Sequence, residues 1–412
     1  MGFKNGQDLI DLIRGKKTEP KTKDPIKSHW DGFAKVVQNF SYHTVDSKEK
    51  IQASFGQAPD CSHERDLAIL QTIKKLYSDN KKTFTAKGET DMWQEIYAPL
   101  RENFLNHLEN NRDEEALDFL NNMLCNEGTS GFGSHSKEIS EELQNEGSLR
   151  ESFKLVNMDS LVNFAEWLGV IPVENIEQSV WGKSVCYEPE HLFELIEKEL
   201  GIEIKFPEFQ KGLYSVLTTK GAFINRHIIY LYIAIRIKEF CKDIPNPRIC
   251  EIGGGVGLLA YYCDLIGLKD ITIVDIPSVS IVSSYFLLKN MPERKFLFSS
   301  DKDKYTDKNA IKLLFPECFD EAPDNQYDIV INCDSLPEIN HNVAKAYIEN
   351  IRRTAKLFYS INQEAQRPYF ETRPPQNVVS KLTAEVGGFN RKSRNLFWLR
   401  RGYVEEFYEV KK

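Results

Sequence analysis

At 412 residues the chain has room for two or three domains and at least one sizeable core. Hydrophobic residues make up 41% and charged residues 28%, the balance of a soluble globular protein rather than a disordered or membrane-embedded one. A net charge of −8 argues against a dedicated nucleic-acid binder, which would carry a basic footprint.

The eight cysteines are scattered and form no Cys-x-x-Cys pair, so no metal site is expected. Cys250 and Cys263 sit in apolar runs, and buried reduced thiols suit a cytoplasmic protein. Met1 to Lys17 lacks the apolar centre of a signal peptide. No transmembrane segment is expected: the longest apolar stretch, Phe223 to Phe240, carries Arg226, His227, Arg236 and Lys238 and reads as a buried amphipathic helix.

In chain order, a short helix at Gln7 to Ile13 precedes a basic, proline-containing linker over 14–28. Residues 1–60 are read as an N-terminal extension. Helical periodicity then dominates to about Leu200. Its faces are marked by Leu67, Leu70, Ile73 and Leu76; by Trp93, Ile96, Tyr97 and Leu100; by Ala116, Phe119, Leu120, Met123 and Leu124; and by Leu161, Phe164, Ala165 and Leu168. His191 to Leu200 gives a further helix. Glu127 to Ser136 is a glycine-rich loop, read either as a connector or as a segment closing over a ligand. Phe206 to Gly212 marks a boundary, so 61–210 is expected to be a mainly helical substrate or lid region.

Over 211–412 strands and helices alternate. Strands are expected at Arg248 to Ile252, Ile271 to Val274, Lys295 to Phe298, Tyr327 to Asn332 and Leu357 to Ile361. Helices are expected near 256–266, 279–289, 342–354 and 376–386. Leu396 to Arg400 and Tyr403 to Val410 close the chain as a hairpin. Repeated βα units imply an α/β fold with a mostly parallel, seven-stranded Rossmann-like sheet, preceded by the helical region.

The loop after the first of these strands reads Glu251-Ile252-Gly253-Gly254-Gly255-Val256-Gly257. A dinucleotide turn, Gly-x-Gly-x-x-Gly, would need glycine at 258, where Leu258 stands. The spacing instead resembles the first motif of class I S-adenosylmethionine (SAM) methyltransferases. Gly253, Gly254, Gly255 and Gly257 would let the backbone approach the cofactor, and the following helix offers free N–H groups to its carboxylate. By that resemblance Glu251 lies beside the ammonium group. Asp275, at the end of the second strand, can accept both ribose hydroxyls. Ser300 and Asp301 follow the third strand, with Asp301 placed to reach the adenine amino group or to cap a solvated turn.

The segment Asn332-Cys333-Asp334-Ser335-Leu336-Pro337-Glu338 and the segment Ser360 to Glu364 sit past strand ends on the same edge. Together with the glycine loop they resemble the sugar O-methyltransferases of bacterial surface-polysaccharide gene clusters, over about residues 120–400. Cys333 departs from the larger polar residue that pattern leads one to expect. The resemblance implies methyl transfer from SAM to a sugar hydroxyl, on an activated, lipid-linked or glycan-borne acceptor. Asn332 and Cys333 would border the cofactor, and Asn362 and Gln363 would bind the acceptor. Candidates for base or electrostatic helper are Asp334, Glu338, His341 and His227, each also readable as a capping or packing residue. Competing readings are a methyltransferase for another small molecule or a protein, a SAM-binding partner subunit without catalysis, and an NAD-dependent oxidoreductase, which Leu258 disfavours.

Overall fold

Runs such as Ile271-Thr272-Ile273-Val274 and Ile329-Val330-Ile331 show no polar alternation, as strands covered on both faces require. The computed structural model describes residues 34, 51–55, 63–80, 104–125, 137–145, 147–174, 188–207, 213–364 and 376–411. The expected helices at Gln7 to Ile13 and Trp93 to Leu100, the basic linker and the loop Glu127 to Ser136 lie outside the described residues.

In chain order the elements used below are β1 (Ala53–Phe55), α1 (His63–Asn80), α2 (Asp113–Asn121), α3 (Lys137–Gln144), α4 (Ser148–Trp167), α5 (Pro189–Leu200), β2 (Tyr214–Thr218), β3 (Gly221–Phe223) and α6 (Asn225–Phe240). They continue with β4 (Arg248–Ile252), α7 (Leu258–Leu265), β5 (Asp270–Val274), α8 (Pro277–Asn290), β6 (Lys295–Phe298), β7 (Ala310–Leu314) and α9 (Pro316–Asp320). The last are β8 (Tyr327–Cys333), α10 (His341–Thr354), β9 (Ala355–Gln363), α11 (Val379–Val386), β10 (Phe389–Leu396) and β11 (Tyr403–Val410).

Two compact units interleave along the chain: Met1–Gly56, Glu138–Gly201 and Tyr214–Asn225 form one, and Gln57–Lys137, Ile202–Leu213 and Arg226–Lys412 the other. The expected region 61–210 is therefore shared between both units rather than forming one. In the smaller unit β1, β2 and β3 make an antiparallel sheet that the sequence reading missed. Arg150 lies 5.4 Å over the rings of both Phe55 and Tyr214 and donates to the Leu143 and Gln144 carbonyls, tying the start of α4 to α3.

The larger unit holds an eight-stranded sheet in the order β10-β11-β9-β8-β4-β5-β7-β6. Only β11 runs antiparallel to its neighbours. The chain lays β5 and β7 on one side of β4, then returns to place β8 and β9 on the other. A crevice opens at such a reversal, outside the carboxyl ends of β4 and β8.

Three sequence expectations are corrected. The strand beside β5 is β7, and Lys295–Phe298 is an extra edge strand outside it, which makes eight strands instead of seven. The first hairpin strand is β10, so Phe397 to Gly402 is the turn, closed by Phe397 N–H donating to Tyr403 O at 2.9 Å. The helical segment before residue 137 is part of the sheet-bearing unit. Its α1 packs on α8 through a buried polar cluster: Lys289 Nζ sits 3.2 Å from Asp66, from Tyr285 Oη and from Asn121 Oδ1, and Arg65 donates to Lys289 O at 2.7 Å. Removing one partner of a buried ion pair leaves an uncompensated charge, so Lys289→Ala should lower stability by about 3–5 kcal/mol in urea unfolding. Unchanged stability would mean that α1 is held by apolar contacts alone.

Candidate functional site

The site forms because the glycine loop leaves no space for side chains. Gly253 has φ +72°, and a Cβ there would lie 2.1 Å from Ser335 Oγ. A Cβ on Gly254 would meet Ile273 Cγ2 at 2.6 Å and Glu251 Oε2 at 2.9 Å. The loop is pinned to the end of β5: Gly253 N–H donates to Val274 O at 2.8 Å, and Gly255 N–H to Asp275 Oδ2 at 3.0 Å. The other Asp275 oxygen accepts from Ile276 N–H at 2.8 Å. Gly257 then caps α7 with φ +95°.

Glu251 is 2% exposed, and its Oε2 has no hydrogen-bond partner among the described residues. Burial, reinforced by the Asp275 charge, pushes its carboxyl up to about 8. A buried polar atom without a partner is uncommon and calls for an explanation. Just beyond Asp275 lies an apolar recess lined by Tyr77, Pro277, Ile281, Phe298, Leu313 and Phe315.

The residues expected at the end of β8 divide into support and site. Asn332 is fully buried and its amide is spent: Nδ2 donates to Ile252 O at 3.0 Å and Ser335 Oγ at 2.6 Å, and Oδ1 accepts from Asn362 at 3.0 Å. It braces β4 against β8 rather than facing a ligand. Asn362 is likewise buried, 2.8 Å from Ser360 Oγ, with its Oδ1 left without a partner. Gln363 ends β9, half-buried, and donates to Gln376. Cys333 lines the crevice floor, its thiol raised well above the ordinary range by burial and then by Asp334. Asp334 has φ +74°, uncommon for a non-glycine residue and a form of strain that persists where surrounding contacts hold it. Arg400 supplies the contact, with Nη1 2.5 Å from Asp334 Oδ2. Glu338 is half-buried on the 3-10 turn Leu336–Glu338.

Four expected residues are placed elsewhere. His227 is 2% exposed, with Nδ1 2.8 Å from Tyr262 Oη and its ring stacked near Phe206; burial lowers it to about 3, so it is a neutral core residue. His341 begins α10 and faces α11, with Nδ1 2.9 Å from Asn377 Oδ1 and Nε2 3.7 Å from Glu385. Ser300 is exposed, and Asp301 caps its own turn by accepting from Phe298 N–H at 2.7 Å. Both follow the edge strand β6. The acidic residue after the strand that does flank β5 is Glu317, whose Oε2 is buried and unpartnered. Half-buried Tyr347 lies in the field of both Asp275 and Glu317, with burial the main reason its hydroxyl stays neutral.

Sequence reasoning also missed the wall opposite β8. Arg226 and Tyr230 are one helical turn apart on α6, and the Tyr230 hydroxyl, kept neutral mainly by burial, lies in the field of Cys333, Arg226, Glu251 and Asp334. Their four-residue spacing was the available signal. Arg400 and Tyr403 come from the hairpin, where Arg400 Cζ lies 3.9 Å over the Tyr403 ring.

No family model and no curated protein matches this sequence. Among solved structures it is similar to a SAM-dependent methyltransferase from Aquifex aeolicus at 14% identity, covering 44% of this chain and 92% of that one, with a TM-score of 0.32. It is similar also to magnesium protoporphyrin IX methyltransferase from Synechocystis PCC 6803 with bound S-adenosylhomocysteine (SAH), at 14% identity, 46% and 87% coverage and a TM-score of 0.33. Overlaps this shallow carry no function.

Proposed function

We propose that this protein is a SAM-dependent O-methyltransferase acting on a sugar hydroxyl in surface-glycan assembly. The observation that carries the cofactor half is Glu251: a buried carboxyl with a free oxygen beside a glycine loop too crowded for a Cβ, at the reversal of the strand order. Glu251 would hold the ammonium group and the loop the carboxylate. Asp275 would take the ribose hydroxyls, the apolar recess the adenine ring, and Glu317 its amino group. When bound, SAM supplies an electrophilic methyl group on sulfur. The chain's own task is to align an acceptor oxygen with that methyl while excluding water, which is largely positioning.

On the acceptor side the roles of the two carboxylates differ. The Arg400 guanidinium holds Asp334 through its Oδ2, so Asp334 is assigned to orient the hydroxyl through a hydrogen bond. Glu338, two residues past Leu336 on the same turn, is assigned the proton. The sugar rests on the resemblance carried by Asn332 to Glu338 and Ser360 to Glu364; the region 61–210 is assigned to acceptor selection.

SAH should raise the melting temperature of the protein, whereas NAD at the same concentration should leave it unchanged. No shift at millimolar SAH would refute the cofactor, and a shift with NAD alone would favour the oxidoreductase reading.

A further inference from the structure

We infer that the acceptor carries an anionic group, phosphate or carboxylate, received by Arg400 at the mouth of the crevice. This rests on the methyl-transfer reading and names the chemistry of its acceptor. Antiparallel pairing of Tyr403 with Gln363 brings the turn Phe397 to Gly402 to the carboxyl edge of the sheet, the edge that holds the glycine loop. Arg400 is thus carried to the crevice by register. Its guanidinium carbon lies 3.9 Å from the centre of the Tyr403 ring, and only Nη1 is engaged, on Asp334. Nε and Nη2 have no partner among the described residues, and 45% of the side chain is exposed. A guanidinium built only to brace a loop would have its fork filled.

Charge points the same way. Cys333 lies in the field of Arg400 from the hairpin and of Arg226 from α6, with Asp334 and Glu251 as the acidic groups there. Asp334 offsets one guanidinium. Two guanidinium groups thus act on the crevice within a chain of net charge −8. Arg401 adds a further exposed cation in the same turn. Neutral sugar hydroxyls do not call for this. A planar fork with two adjacent open donors matches the paired oxygens of a phosphate or carboxylate.

The test is isothermal titration of SAH-loaded protein at low salt with two probes: pyrophosphate, standing for the diphosphate of an activated sugar, and glucuronate, standing for a uronic acid. At least one should bind. Arg400→Ala should weaken that probe about tenfold or more, the loss of one charge-assisted pair, and Arg400→Lys should restore it only in part. SAH affinity should stay within about twofold. Lys392→Ala, paired with Glu409 on β10, controls for general charge and should change nothing. Preference for pyrophosphate assigns an activated or phosphorylated sugar, and preference for glucuronate a uronic acid. The inference fails if neither probe binds, if Arg400→Ala binds as wild type does, or if Lys392→Ala weakens binding equally. Failure of the protein to bind SAH at all would refute the underlying cofactor reading instead.

Discussion

Asp275→Ala should weaken SAH binding about 100-fold or more, the largest single effect expected in this protein. Two hydrogen bonds from ribose hydroxyls to an ionised carboxylate contribute roughly 1.5–3 kcal/mol each, about 3 kcal/mol or more together, and each 1.4 kcal/mol is about tenfold. The effect has a second source. Asp275 also accepts from Gly255 N–H at 3.0 Å and Ile276 N–H at 2.8 Å, so its removal loosens the glycine loop. Asp275→Asn is the intermediate case: the amide keeps one acceptor for a backbone N–H but sets an N–H donor against the other. Its SAH affinity and its thermal stability should both lie between wild type and alanine. Titration calorimetry on the three proteins checks this; equal affinities would remove Asp275 from the cofactor site.

The second large effect is a dependence of cofactor affinity on pH through Glu251. Its carboxyl stands at about 8 in the free protein, because burial and Asp275 both oppose its charge. Cys250, Cys263, Cys333 and Tyr230 also lie in its field and add no fixed positive charge, while Arg226 faces Tyr230 and Cys333 beside it. An arriving ammonium group favours the ionised form, so binding releases a proton. SAH affinity should fall about tenfold for each pH unit below 8, with release of close to one proton near pH 7. Glu251→Gln should bind weakly and lose that dependence. The stability linkage has the opposite sense. The folded protein holds this proton more tightly than the unfolded chain, whose Glu titrates near 4.5. The contribution is therefore fully present below 4.5 and lost as pH rises to 8. Glu251→Gln should be the more stable protein at pH 8, by roughly 2–5 kcal/mol. Calorimetry in buffers of different ionisation enthalpy reads the proton; no release, or the same pH slope in Glu251→Gln, would contradict the role of Glu251.

What sequence revealed depended on how local the physical cause was. The glycine loop was legible because a positive φ and a crowded backbone select glycine whatever surrounds them, even though the atom that Gly253 must avoid belongs to Ser335. The parallel strands were legible because burial on both faces leaves unbroken apolar runs. β7 was not, because Lys312 interrupts Ala310–Leu314 and looks like surface; it is 3% exposed and pairs with Asp270 on β5. Missing β7 drew attention to Asp301, after the edge strand β6, and passed over Glu317, after β7. β10 was misplaced because it is an exposed edge strand, Phe389–Leu396, with a polar centre and no apolar alternation. Asn332 and Asn362 lay on the correct edge, but spacing could not say that they bond to each other and to the ends of β4 and β8. The wall made by Arg226, Tyr230, Arg400 and Tyr403 needed the third dimension, since α6 and the hairpin are far apart in sequence.

The most direct test of the central claim is a crystal structure of the protein with SAH. SAH should lie across the carboxyl ends of β4 and β5, with its ribose hydroxyls on Asp275, its ammonium group on Glu251 and its sulfur facing Asp334 and Glu338. Density for SAH elsewhere, or a crevice that stays empty at saturating SAH, would contradict it.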